Sequence, residues 1–138
     1  MHNIKILILL CFLFSFYATQ RENLRERIIN KKFRVINYST RALTDLRNRL
    51  NQGYHTLTFT EDSLRMTGIC NSCSFAINRF RGNSVDFGNG ACTRMYCEET
   101  MPLEDDLVKI IKNASRIELK GRLLTIRDGR RAIRAEMI

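Results

Sequence analysis

The sequence predicts an α+β fold: an antiparallel meander of seven or eight short strands, with one long helix inserted before the last three. Three observations lead there. Short segments that alternate apolar and polar residues recur from Phe33 onward, separated by Gly, Asn, Asp and Ser. One segment, from Pro102 to Ala114, repeats its apolar residues at helical spacing instead. The chain also has a single proline and seven glycines, with no repeat or low-complexity tract to mark a linker.

The elements follow in order. His2 and Lys5 precede an apolar run from Ile6 to Phe16, which ends in Ala18-Thr19-Gln20. A charged start, an apolar run too short to span a bilayer and a small, polar end are the parts of a secretory signal. Residues 1–20 are therefore expected to be cleaved, taking Cys11 with them, and the protein to be secreted into the periplasm or the extracellular space. Residues 21–31 read as a basic N-terminal arm in which Leu24 and Ile28 stand at helical spacing. Residues 32–138 are expected to form one domain. Its strands are read at Phe33 to Tyr38, Tyr54 to Phe59, Leu64 to Thr67, Ser74 to Arg81 and Ser84 to Phe87. Thr40 to Leu50 carries a weak helical or loop pattern, and Gly88-Asn89-Gly90 reads as a turn.

The helix has start and stop signals. Pro102 suits the first turn, Glu104, Asp105 and Asp106 face the positive end of the dipole, and Lys109 and Lys112 lie near the other end. Leu103, Leu107, Ile110, Ile111 and Ala114 make one apolar face. Three segments close the chain: Arg116 to Lys120, Leu123 to Ile126 and Ala132 to Met137. Turns at Gly121 and Asp128-Gly129 separate them.

Charge is uneven. The net charge is +9, and loss of Lys5 leaves +8. Residues 21–34 carry six basic side chains against two acidic, residues 116–138 carry seven against three, and the middle balances at nine each. Arginine dominates, and its fork suits phosphate and carboxylate. The basic ends are compatible with an anionic surface ligand or a membrane surface, or simply with a solvated surface. No set of aromatics interleaves them as a stacking platform for nucleic acid would need, Phe33 standing alone, so no specific nucleic acid is expected.

Four cysteines survive signal removal: Cys70, Cys73, Cys92 and Cys97. In an oxidising compartment an even set reads as disulfides, and four cysteines allow three pairings. The same spacing could offer four thiolates to zinc, or Cys70-x-x-Cys73 could be a redox pair. Secretion argues against zinc, and a strand-flanked position argues against the redox pair. His55 is the one histidine outside the signal, and it reads as a partly exposed strand residue rather than a catalytic base. Glu98, Glu99, Glu104, Asp105 and Asp106 read as helix capping and solvation. Asn37-Tyr-Ser39 and Asn113-Ala-Ser115 are glycosylation sequons. No catalytic centre, cofactor or metal site is expected.

Several motifs stand in a definite order: Leu57-Thr-Phe59, Gly68-Ile-Cys70-Asn71, Val85-Asp-Phe87-Gly88 and Cys92-Thr93-Arg94-Met95-Tyr96-Cys97. Met101, Glu104, the helix to Ile111 and Leu123-Thr-Ile126 follow. In this order they resemble the META domain (HslJ-like) family over residues 32–138. The resemblance implies a cracked, β-barrel-like closure of the meander and no defined catalytic centre. It also implies the pairing Cys70–Cys97, with Cys73–Cys92 beside it as an addition to the family's usual pair. Its members are associated with cell envelopes, stress and virulence. The expected function is a non-enzymatic binding domain with an unidentified protein partner, with a cationic lipid- or membrane-binding effector as the alternative and a thiol-dependent enzyme as the least favoured.

Overall fold

The computed structural model describes residues 23–38, 55–68 and 70–138. The expected signal at 1–20, the weak pattern at 40–50 and Tyr54 lie outside them. A five-residue helix, α1 (Leu24–Ile28), opens the described chain, with the Asn23 side chain accepting from the Arg25 N–H. Five strands follow: β1 (Lys32–Tyr38), β2 (Thr56–Phe59), β3 (Ser63–Thr67), β4 (Ser72–Arg81) and β5 (Ser84–Cys92). Then come α2 (Met101–Lys112), β6 (Arg116–Lys120), β7 (Leu123–Arg127) and β8 (Ala132–Met137). The eight strands are antiparallel and form a closed barrel in sequence order, with β8 returning to β1.

Period-2 alternation decides what faces inward. Phe33 and Val35, Leu57 and Phe59, Leu64 and Met66, and Leu124 and Ile126 all point into the core. Phe33 and Phe59 meet edge to face, with centroids 6.1 Å apart. The long helix contributes Leu103, Leu107, Ile110 and Ile111, each 1% exposed or less. It lies against β5, β7 and β8. The barrel wall is thinnest between β5 and β6, which share a single residue pair, Ser84↔Arg116. The crack in the barrel is thus the β5–β6 seam.

The expected turn at Gly88-Asn89-Gly90 is absent, and β5 runs through it to Cys92. Close approach explains these glycines better than turn chemistry does. Gly90 pairs with Phe75, whose ring lies where a Cβ would stand, and at Gly88 a Cβ would come within 2.8 Å of the Asn78 carboxamide oxygen. The register slips twice along β4–β5, once between Phe75 and Ile77 and once between Ile77 and Arg79. These bulges bend the hairpin around its own core residues.

Strand closure also answers a question of charge. Pairing of β1 with β8 puts Arg34 opposite Glu136 and Asn37 opposite Arg134. The two basic ends of the sequence therefore meet on one side of the barrel.

Candidate functional site

The helix start, Cys70-Asn71 just before β4 and the segment after β5 converge at one mouth of the barrel. Glu104 is their hub. Its position four residues before Val108 and seven before Ile111 turns it toward the apolar face of α2, and it is 4% exposed. One carboxylate oxygen, Oε1, accepts from the Cys70 N–H at 2.9 Å and the Asn71 N–H at 3.1 Å. The other, Oε2, accepts from Asn71 Nδ2 at 3.0 Å and is also 3.1 Å from the Asn71 backbone nitrogen. Gly68 permits this approach, because a Cβ there would overlap Glu104 Oε1 and sit 2.6 Å from the Asn71 carbonyl oxygen.

Glu104 was expected to serve the helix dipole in solvent, and its burial corrects that reading. The spacing 104, 107 and 111 on one helical face was the signal for it. Of the other acids, Glu98, Glu99 and Asp105 are exposed and Asp106 is half-buried.

His55 is the second correction. It is 0% exposed, with Nε2 3.5 Å from Glu104 Oε1, too far for a good hydrogen bond. Among the described residues neither ring nitrogen finds a hydrogen-bond partner. Burial holds the imidazole pKa below its ordinary 6.5, and the nearby Glu104 carboxylate opposes that shift without cancelling it. The ring is therefore held neutral. As pH falls through about 6.5, the unfolded chain's histidine takes up a proton more readily than the buried one. The unfolded state then binds more protons, so stability falls as pH drops. Chemical denaturation between pH 7.5 and 5.5 is expected to show this loss. In His55→Gln the slope in that window should flatten, because ordinary carboxylates titrate below it.

The structure joins Cys70 to Cys97 and Cys73 to Cys92. Cys73 and Cys92 stand directly opposite each other in the β4–β5 ladder. Between the two bridges, residues 93–97 have no regular secondary structure, yet they are pinned. Asn71 binds Met95 from both sides, accepting from its N–H at 2.8 Å and donating to its carbonyl at 3.2 Å. Thr93 accepts from the Ser72 N–H at 3.0 Å and donates to Asn71 Oδ1 at 3.1 Å.

The pinned segment and α2 border an open cleft of about 390 Å³ whose lining includes Cys73, Cys92, Met95, Tyr96, Met101 and Val108. Met95 and Tyr96 are 60% and 79% exposed. Large side chains so exposed on an immobilised segment are the feature of this mouth that packing does not explain. The Cys92-x4-Cys97 spacing frames them, but their exposure was not legible before the fold. Of the sequon asparagines, Asn37 is exposed on β1, and Asn113 ends α2 with its Nδ2 donating to the Lys109 carbonyl at 2.8 Å. Among the described residues no group of three His, Cys, Asp or Glu side chains converges as metal ligands would.

A small closed antiparallel barrel with a helix packed against β5, β7 and β8, and a buried glutamate clamping a cysteine-bearing turn, define the class of domain. The META domain family model matches residues 26–136, and the chain belongs to that family. Solved structures share the fold at low identity. A protein from Burkholderia xenovorans, solved by NMR, is 12% identical with a TM-score of 0.63, over 83% of this chain and 86% of that one. Another NMR structure is 17% identical with a TM-score of 0.62, over 82% and 93%. A crystal structure of a DUF4847 family protein from Bacteroides vulgatus ATCC 8482 is 10% identical with a TM-score of 0.58, over 83% and 96%. No curated protein matches the chain.

Proposed function

We propose that this chain is an extracytoplasmic, non-enzymatic binding domain that engages a protein partner through Met95 and Tyr96. The observation that carries the reading is order without burial. The segment 93–97 is held by two disulfides and the Asn71 hydrogen bonds, yet it turns its two largest apolar side chains to solvent. A pre-ordered aromatic and a methionine lose little conformational entropy on docking, and both residue types are enriched at interfaces. Two disulfides also fit an oxidising compartment. The residues that could do chemistry are otherwise engaged: the four described cysteines are paired, the Glu104 oxygens are occupied and His55 is walled in.

The test places a photo-crosslinking amino acid at position 96 and, as a control, at the exposed strand position of Arg79, in the protein's own extracytoplasmic setting. A discrete crosslinked protein is expected from position 96 and not from position 79. A Met95→Ser/Tyr96→Ser competitor should displace it at least about 30-fold less well than wild type, as loss of an anchor worth about 2 kcal/mol or more requires. Identical products from both positions, or undiminished competition, would sink the reading.

A further inference from the structure

We infer that the outer wall of β6, β7, β8 and β1 is a docking face for an anionic phospholipid membrane. This goes beyond the Met95–Tyr96 reading and does not depend on it. These four strands are contiguous in the barrel because β8 closes on β1. Their inward positions are taken by Phe33, Val35, Ile117, Leu124, Ile126 and Ile133, which fixes the alternate residues outward. The outward set holds six cations, namely Lys32, Arg34, Arg116, Lys120, Arg127 and Arg134.

Two acids share that wall, and each lies against a cation. Glu118 Oε1 accepts from Arg116 Nε at 2.7 Å, and Glu136 lies 3.6 Å from Arg34. The acids are thus matched, and the remaining excess is positive. Such a face is drawn to a negatively charged surface within about a Debye length.

Apolar side chains decide between a membrane and a soluble polyanion. The exposed large hydrophobics among the described residues are five, and three of them border this wall. Leu123 faces Glu136 across β7–β8, Ile36 sits at the β1 bulge beside Arg134's partner Asn37, and Ile138 follows β8 with its N–H bonded to the Lys32 carbonyl. They are 36%, 49% and 55% exposed. A hydrated glycan or polyphosphate gains nothing from isoleucine or leucine, whereas the headgroup–acyl boundary does. No aromatic stands outward on the wall for a nucleic acid base to stack on. Arginine and lysine with interspersed aliphatics therefore fit lipid headgroups.

The experiment is sedimentation with vesicles, using protein expressed from the full-length chain and purified with both disulfides formed. Vesicles are pure phosphatidylcholine or phosphatidylcholine with 30% phosphatidylglycerol. Three variants are compared with wild type: Lys120→Gln/Arg134→Gln on the wall, Arg65→Gln/Arg79→Gln on β3 and β4, and Leu123→Ser. Each removes surface side chains and is checked for an unchanged thermal melt. Wild type is expected to bind the anionic vesicles at least about tenfold better than the neutral ones, and more weakly as salt rises. The wall pair should lose about 25-fold, roughly fivefold per cation, while the β3–β4 pair loses less than about threefold. Leu123→Ser should weaken vesicle binding and leave binding to soluble polyphosphate unchanged.

Equal losses from the two charge pairs would overturn the proposal, since net charge alone would then explain binding. Tight binding to polyphosphate with none to vesicles would overturn it in favour of a soluble polyanion. No preference for anionic vesicles at low salt would overturn it outright.

Discussion

Replacing Glu104 with alanine is expected to destabilise the domain by about 3–5 kcal/mol. The Cys70 N–H, the Asn71 N–H and Asn71 Nδ2 would all lose their acceptor, and each buried donor left unmet costs roughly 1–3 kcal/mol before water relieves part of it. The loss reaches beyond α2, because Asn71 is also what holds Met95. Glu104→Gln keeps the shape but offers one acceptor oxygen in place of two, so roughly half the loss is expected. Urea unfolding with both disulfides intact measures this, and amide exchange at Cys70 and Asn71 reports the local effect. A change below about 1 kcal/mol in Glu104→Ala would show that the carboxylate is not the clamp its geometry makes it.

Removing both disulfides is expected to cost more. Cys73–Cys92 alone closes a loop of about 20 residues, worth roughly 3.3 kcal/mol in the chain-entropy account. With it in place, the path from Cys70 to Cys97 shortens to about ten residues and is worth roughly 2.7 kcal/mol more. Together they contribute about 6 kcal/mol, against a total of about 5–15 kcal/mol for a domain of this kind. Reduction of the native protein should therefore remove much of its stability, and Cys70→Ser/Cys97→Ser should lose less than half of that amount. Alkylation with intact mass gives the covalent check. No thiol should label before reduction and four should label afterwards if residues 1–20 have been removed. Labelling before reduction would overturn the stapled mouth.

Much of the fold was legible in advance. Strand β1 could be read from Phe33-Arg-Val35 because alternation and burial express one constraint, that each strand has one wet face. The α2 helix could be read because proline, acids, lysines and a 3.6-residue apolar stripe agree. The family's motif order supplied the closure of the sheet. What failed had a common cause. Gly88-Asn89-Gly90 has the composition of a turn, but on the neighbouring strand Phe75 leaves no room for a Cβ at Gly90 and Asn78 crowds Gly88. His55 looked half-exposed because alternation says nothing about what packs over a strand. Glu104 looked like a dipole residue because local chemistry offered a sufficient role.

Through local propensity and hydrophobic period, the sequence by itself determined the element order, the inward and outward faces and the presence of four cysteines in one stretch. The tertiary structure alone decided the rest, because those features depend on contacts between residues far apart in the chain. It set Glu104 against a turn 33 residues away, walled in His55, and left Met95 and Tyr96 pinned but uncovered. It also joined two basic termini into one wall, since a barrel must pair its last strand with its first.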